Sequence, residues 1–175
     1  KVKLNIKCGI TTTNYNSLKK YINDNLNKDK TSFKTTNDEP TPVECAEEML
    51  SHIPVEFWEK PDISILDPCC GYGNLLVPVY NYLKIYHTNK DILENILNFN
   101  EINTKRIDIL KNIFESNTFN LNITNLDFLK FNNDTKYDLQ IVNPPYAKFN
   151  EIIDANGIKQ MKRASKNHAL VRDFI

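Results

Sequence analysis

The chain has 175 residues, of which 41% are hydrophobic and 25% charged, so it can form one domain around a buried core. No apolar run approaches the roughly 20 residues of a membrane-spanning helix, and no secretory signal pattern opens the sequence. We therefore expect no membrane association and a cytoplasmic protein. The formal net charge is zero, which weighs against extensive phosphate contacts by this segment alone.

The first 40 residues are predicted to form a short strand, a helix and a loop. Alternating apolar residues favour a strand over residues 1–10, and apolar residues lie on one side of a helix over residues 17–27. Residues 29–40 are polar and indicate a loop. Because this segment carries no motif, we assign it no role and separate it from a domain at residues 41–175.

A second helix is predicted to begin at Thr41-Pro42-Val43-Glu44. Thr41 can cap the helix, and Pro42 suits the first helical position because it lacks an N–H group. Glu44 lies at the third position, as in a capping box. The helix is expected to run towards Pro54.

From residue 63 onward, strand patterns alternate with helix patterns. Strands are predicted at residues 63–67, 96–102, 121–126 and 137–142, and helices at 74–86 and 104–114, with Pro78 confined to the first turns of its helix. Strands separated by helices predict an α/β fold, a Rossmann-like and mostly parallel sheet with helices on both faces. Residues 169–175 resemble the start of another helix, so we expect the sheet to be truncated at its C-terminal end.

A glycine-containing turn follows the first of these strands. It reads Asp67-Pro68-Cys69-Cys70-Gly71-Tyr72-Gly73-Asn74 and lies where the strand gives way to a helix. Glycines at such a turn permit positive φ and close approach of a ligand to the backbone. An isolated Gly-x-Gly is also compatible with an ordinary tight turn.

Acidic residues follow the next two strands. Glu101 can accept hydrogen bonds from ribose hydroxyls, and Asp127 can accept one from an adenine amino group, while Ile102 and Phe128 enclose the ring. Each residue alone could instead be a surface acid, a cap or a core side chain. Since ligands bind at the carboxyl ends of strands in open α/β sheets, the three acids together favour a nucleoside site.

The fourth strand is followed by Asn143-Pro144-Pro145-Tyr146. Two prolines constrain the backbone and remove two donors, which leaves the Asn143 side-chain oxygen and the Pro144 carbonyl as acceptors. Two acceptors on the hydrogens of a planar exocyclic amine, such as that of adenine, stabilise the charge that develops when the nitrogen attacks a methyl group. Tyr146 can stack on the ring.

Together these motifs resemble those of the amino-group DNA methyltransferases that act on adenine N6. Asp-Pro-x-x-Gly-x-Gly at residues 67–73 looks like their first motif, Asn-Pro-Pro-Tyr at 143–146 matches their catalytic motif in full, and Thr41-Pro42 resembles the motif ahead of the first strand. The motif order is similar to that of the gamma subgroup, which includes restriction–modification enzymes of bacterial, phage or viral origin. The resemblance covers about residues 41–146.

The resemblance implies an incomplete class I methyltransferase fold with S-adenosylmethionine as methyl donor. Thr41 and Asp67 would hold the methionine end of the donor, Glu101 its ribose and Asp127 its adenine. The other predicted donor-binding residues are Pro68, Cys69, Gly71, Gly73, Ile102 and Phe128. No metal is expected, because the sulfonium methyl is already activated and the cysteines and histidines lack metal-ligand spacing.

The resemblance also implies a double-stranded DNA substrate with its adenine flipped out of the duplex, held by the catalytic residues Asn143, Pro144, Pro145 and Tyr146. Most DNA contacts are expected in a recognition domain or subunit outside this chain. Two alternatives remain. One is a methyltransferase acting on protein glutamine or on guanine N2 of RNA; the other is a non-catalytic, methyltransferase-like subunit that binds nucleic acid.

Overall fold

The computed structural model describes residues 9–29, 39–128, 134–144, 149–153 and 159–163, the last two ranges by their backbone alone. The chain divides into two compact units. The first comprises Lys1–Lys28 and Pro40–Asn143, and the second comprises Asp29–Glu39 and Pro144–Ile175. The first unit holds the parallel sheet and its helices.

The N-terminal helix of the first unit is formed as predicted. Helix α1 (Tyr15–Tyr21) is capped by the Asn14 side chain and continues into a π-helical turn (Ile22–Leu26). Its buried side is apolar, with Leu18, Ile22 and Leu26 at most 4% exposed. Of the strand predicted over residues 1–10, residues 1–8 lie outside the described ranges, and Ile10 begins a turn instead.

Helices α2 (Val43–Ser51) and α3 (Val55–Trp58) follow. The predicted capping box is wrong. Pro42 occupies the N-cap position without a side-chain cap, and the Thr41 hydroxyl accepts a hydrogen bond from Asn143 instead. The Glu44 carboxylate accepts from the Asn23 side chain and from the Glu44 backbone N–H within α2.

Four short parallel strands form the sheet, in the order β3-β2-β1-β4. They are β1 (Ile65–Asp67), β2 (Leu97–Asn100), β3 (Asn122–Thr124) and β4 (Leu139–Gln140). All four predicted strands are confirmed, each shorter than predicted. The α/β class is also confirmed, since helices connect β1 to β2 and β2 to β3.

Helix α4 (Leu76–Leu83) follows β1 and holds Pro78 at its third residue, where no intrahelical N–H is needed. Helix α5 (Asn89–Asp91) and a π-helical turn (Ile92–Ile96) lead into β2, and α6 (Thr104–Ile113) connects β2 to β3. The helix predicted at residues 104–114 is confirmed, whereas α3 and α5 were missed because their few residues carry too little periodicity.

The core lies between the sheet and these helices. Ile65 in β1 and Leu97 in β2 are fully buried, as are Leu76 and Leu83 of α4. Phe99 of β2 meets Phe114, at the end of α6, edge to face with 4.8 Å between ring centroids. This packing holds β1 and β2 against α4 and α6, the helices that follow them along the chain.

In the second unit, β5 (Phe149–Ile153) and β6 (Lys159–Arg163) form an antiparallel hairpin. The polar sequence of this region predicted no strand. The helix predicted at residues 169–175 lies outside the described residues. None of the helices in the described ranges combines the length and hydrophobicity that crossing a bilayer requires.

Candidate functional site

The predicted site residues follow the carboxyl ends of the strands. Asp67 is the last residue of β1, Glu101 directly follows β2, and Asp127 lies three residues beyond β3. Asn143 lies three residues beyond β4. Because the four strands are parallel, these ends meet at one edge of the sheet.

The strand order places a switch point at this edge. From β1 the chain passes outward through β2 to β3, then crosses to β4 on the opposite side of β1. Connections that leave a central strand in opposite directions open a crevice beyond the strand ends, where ligands bind in open α/β sheets. Asp67 and Asn143 follow the two strands that border this crevice.

Asp67 is buried, with 1% of its surface exposed. One carboxylate oxygen accepts a hydrogen bond from the Cys69 N–H at 3.0 Å, which bends the chain into the turn. The pKa of Asp67 is raised from 3.8 to about 8, chiefly by burial and also by the nearby charge of Glu101, against the opposing effect of the Cys69 N–H. The carboxyl can therefore change its charge near neutral pH.

Glu101 is also buried and shapes the turn from the neighbouring strand. Its two oxygens accept from the backbone N–H groups of Gly71 and Asn103, both at 2.8 Å. The Arg106 guanidinium lies 3.9 Å from the Glu101 carboxylate, and both side chains are at most 6% exposed.

The turn residues between Asp67 and α4 adopt a backbone that requires glycine twice. Gly71 has φ +57° and Gly73 has φ +85°. A Cβ atom at Gly71 would meet nothing within 4 Å, whereas one at Gly73 would lie 2.5 Å from the Phe114 ring. Gly71 therefore faces open space at the crevice, and Gly73 permits close packing of the turn on α6.

Gly73→Ala should lower the free energy of unfolding by about 1–3 kcal/mol more than Gly71→Ala does. Both substitutions place alanine at positive φ, so the difference between them isolates the clash with Phe114. Urea unfolding of the two variants, compared at equal m-values, measures this difference. Equal stability of the two would show that the Phe114 ring moves aside without cost.

Two asparagines that the sequence analysis missed join the strand ends. The buried Asn100 side chain donates to the carbonyls of Pro68 and Leu126, at 2.9 and 3.1 Å, and thus connects the segments after β1 and β3. Asn125 donates to the carbonyls of Glu101 and Ile102. Asn100 lies inside a strand where its polar group broke the apolar pattern, which is the signal that could have identified it.

Ile102 and Phe128, which are predicted to enclose the adenine ring, follow the neighbouring strands β2 and β3 but differ in exposure. Ile102 follows β2 and is 62% exposed, and Leu126 after β3 is 44% exposed. Asp127 and Phe128 are half-buried. An apolar surface next to a carboxylate thus borders the crevice on the side of β2 and β3.

Asn143 is tied to Thr41. Its amide nitrogen donates to the Thr41 hydroxyl at 2.9 Å, and the Thr41 carbonyl accepts from the Asn74 side chain at 2.7 Å. The structure thus brings together Thr41 ahead of α2, Asn74 in the turn after β1 and Asn143 beyond β4. Pro144 belongs to the second unit, and Pro145 and Tyr146 lie outside the described residues.

The Cys70 thiol of the turn is a poor nucleophile. Burial raises the pKa of Cys70 well above its usual value, and the charges of Asp67 and Glu101 raise it further. A protonated thiol is a weak nucleophile, so covalent catalysis by Cys70 is disfavoured. Within the described ranges, His, Cys, Asp and Glu residues form no group of three that could hold a metal ion.

Known proteins resemble this chain in sequence and in fold. The sequence profile of the family described as N-6 DNA methylase matches residues 40–171. The crystal structure of a modification subunit of a putative type I restriction enzyme from Vibrio vulnificus YJ016 superposes with a TM-score of 0.55 and 17% identity. It covers 77% of this chain, and this chain spans 29% of that subunit. No match was found among curated proteins.

Proposed function

This chain belongs to the N-6 DNA methylase family, and we propose that it transfers a methyl group from S-adenosylmethionine to the N6 amino group of adenine in DNA. The observation that carries the proposal is the position of Asn143. It follows β4, which pairs with β1, the strand that leads into the glycine-containing turn. An acceptor for the target amine and a turn suited to a nucleoside thus border one crevice.

The residues around the turn fit the proposed donor. The open space in front of Gly71 admits a ligand against the backbone, and Asp67 and Glu101 supply acidic groups beside it. The half-buried Asp127 and the exposed Ile102 offer an acceptor and an apolar surface for an adenine ring. When bound, the donor supplies a methyl group on a positively charged sulfur, which needs no metal for its activation.

In this proposal Asn143 acts on the target amine. The lone pair of an adenine amino group is delocalised into the ring, so the nitrogen attacks poorly until its hydrogens are held out of the ring plane. The Asn143 amide oxygen and the Pro144 carbonyl would accept hydrogen bonds from the two N–H groups of the amine and would stabilise the positive charge that develops on nitrogen. Pro145 would disfavour a helical backbone at the residue before it, and Tyr146 would stack on the flipped base.

We infer that the DNA is held largely by other parts of the enzyme. The chain has no net charge, whereas phosphate binding calls for clustered Lys and Arg residues. A basic recognition domain or a partner subunit would supply these contacts and would help to extrude the base, which costs a few kcal/mol. The enzyme would work where the DNA is, in the cytoplasm of a bacterial or phage-infected cell.

The proposal predicts the chemical identity of the product. The full-length protein, with any subunit that co-purifies, should transfer the labelled methyl group of S-adenosylmethionine to unmethylated bacterial genomic DNA. Nuclease digestion and mass spectrometry should identify the product as the nucleoside N6-methyl-2′-deoxyadenosine. Ribosomal RNA and peptide release factor serve as parallel acceptors. Label in either of these and none in DNA would overturn the proposed substrate, and N4-methylcytosine would overturn the proposed base.

A further inference from the structure

A chain of hydrogen bonds runs from the N-terminal helix to Asn143. The Asn27 side-chain oxygen accepts from Asn74 at 2.7 Å, Asn74 donates to the Thr41 carbonyl at 2.7 Å, and the Thr41 hydroxyl accepts from Asn143 at 2.9 Å. We propose that Asn27 is a positioning residue, which orients Asn143 through Asn74 and Thr41. This inference rests on the proposed function, and Asn27 lies outside residues 40–171 that match the family.

Asn74 is the central member of this chain. It is 6% exposed, and its amide nitrogen has two hydrogens, both of which are used by Asn27 and Thr41. If the amide rotated by half a turn, its oxygen would face two acceptor oxygens and gain no hydrogen bond. The Asn74 oxygen is buried and has no hydrogen-bond partner among the described residues, so the two bonds from nitrogen decide its orientation.

The orientation of Asn27 is itself determined by the π-helical turn. Its backbone N–H donates to the Ile22 carbonyl at 2.9 Å, across this turn, and its side-chain nitrogen donates to the Asn23 oxygen at 3.1 Å. The Asn27 oxygen therefore points to Asn74 rather than to Asn23. Asn23 is held in turn, since its nitrogen donates to Glu44 and its oxygen accepts from the Val43 N–H at the start of α2.

Thr41 passes this orientation to the catalytic motif. Asn74 holds its carbonyl, and its hydroxyl receives the Asn143 nitrogen, so the Asn143 amide is held by its nitrogen end. The amide oxygen then lies on the opposite side of the group, as an acceptor of a target amine requires. Without the Asn27 oxygen, Asn74 loses one of its two restraints, and the Thr41 carbonyl loses a donor of defined direction.

The chain offers a matched set of variants. Asn27→Ala removes the acceptor, Asn27→Asp keeps an oxygen towards Asn74, and Asn25→Ala alters an exposed asparagine of the same turn, whose side chain donates to the Tyr21 carbonyl. In the full-length protein, Asn27→Ala should lower kcat for DNA methylation by about tenfold or more, with donor affinity within about twofold of the wild type. Asn27→Asp should recover most of kcat, and Asn25→Ala should leave it unchanged.

A readout independent of activity separates this inference from the proposed function. In the ¹⁵N-labelled protein, Asn27→Ala should shift the side-chain amide signals of both Asn74 and Asn143, and Asn25→Ala should shift neither. If both signals shift but the wild type does not methylate DNA, the proposed substrate would be refuted, whereas the positioning role of Asn27 would stand. If the Asn143 signal does not move, or if kcat of an active enzyme is unchanged, the positioning role of Asn27 would be refuted, whereas the proposed function would stand.

Discussion

Asn143→Ala should reduce the rate of methyl transfer by about a hundred- to a thousandfold and leave the affinity for S-adenosylmethionine within about twofold. The size of the effect follows from removing one of two acceptors that stabilise the charge developing on the target nitrogen. Donor affinity should persist because Asp67 and Glu101, which line the donor turn, belong to other strand ends. Single-turnover methylation with saturating DNA, together with calorimetric donor titration, measures both quantities.

Two further variants make this result specific. Asn16→Ala, at an exposed position of α1, should change neither quantity. Asn143→Asp should retain more activity than Asn143→Ala because it keeps an acceptor oxygen for the target amine. It loses the nitrogen that donates to Thr41. An Asn143→Ala enzyme that turns over at the wild-type rate would remove this residue from the mechanism, and a parallel loss of donor binding would assign it to the fold.

Asp67→Asn should weaken donor binding by about ten- to a hundredfold above pH 8, and at the same time make the protein harder to unfold. A carboxylate adds charge attraction to its hydrogen bond with an ammonium group, and such charge-assisted bonds contribute about 1.5–3 kcal/mol, whereas the neutral amide keeps only the weaker bond. The amide oxygen can still accept from the Cys69 N–H, so the turn should keep its shape. The gain in stability comes from no longer burying a carboxyl that ionises.

The pH dependence of these effects has a definite sign. The pKa of Asp67 is raised from 3.8 to about 8, so between these values the folded protein keeps a proton that the unfolded chain releases. The free energy of unfolding should therefore fall as pH rises through this window, by up to about 1.4 kcal/mol per pH unit, and level off above pH 8. This contribution to the slope should be absent in Asp67→Asn.

Donor binding should depend on pH in the opposite direction. A cationic donor favours the ionised carboxyl, so binding below pH 8 should release a proton, and affinity should rise with pH until about 8. Calorimetry in buffers of different ionisation enthalpy counts that proton, and urea unfolding from pH 5 to 9 gives the stability curves. A donor affinity independent of pH in the wild type would show that Asp67 stays protonated beneath the donor.

The sequence predicted the parallel sheet because each signal was local. Ile65 and Leu66 form an apolar run that ends at Asp67, and Thr104–Ile113 has helical periodicity, so these elements were evident without tertiary information. The acids at the strand ends then followed from the parallel topology. Their assignment to particular parts of the donor remains a prediction.

The remaining features could not be predicted because they depend on contacts between residues far apart in the chain. Thr41 was expected to cap α2, yet its hydroxyl pairs with a residue 102 positions later. Asn74 looked like the end of a turn, and its bond to Asn27 spans 47 positions. An asparagine side chain can form hydrogen bonds with many nearby groups. The sequence therefore does not indicate which distant residue it will contact.

The packing of α1 and its π-helical turn bears on where the folded unit is cut for expression. The family profile begins at residue 40, but Leu18, Ile22 and Leu26 are buried in the unit that the profile covers. A truncation that follows the profile would uncover the apolar surface on which these three residues pack and would delete Asn27. We expect such a fragment to be poorly soluble, and an expression boundary ahead of Gly9, whose carbonyl accepts from Thr13, to preserve the unit.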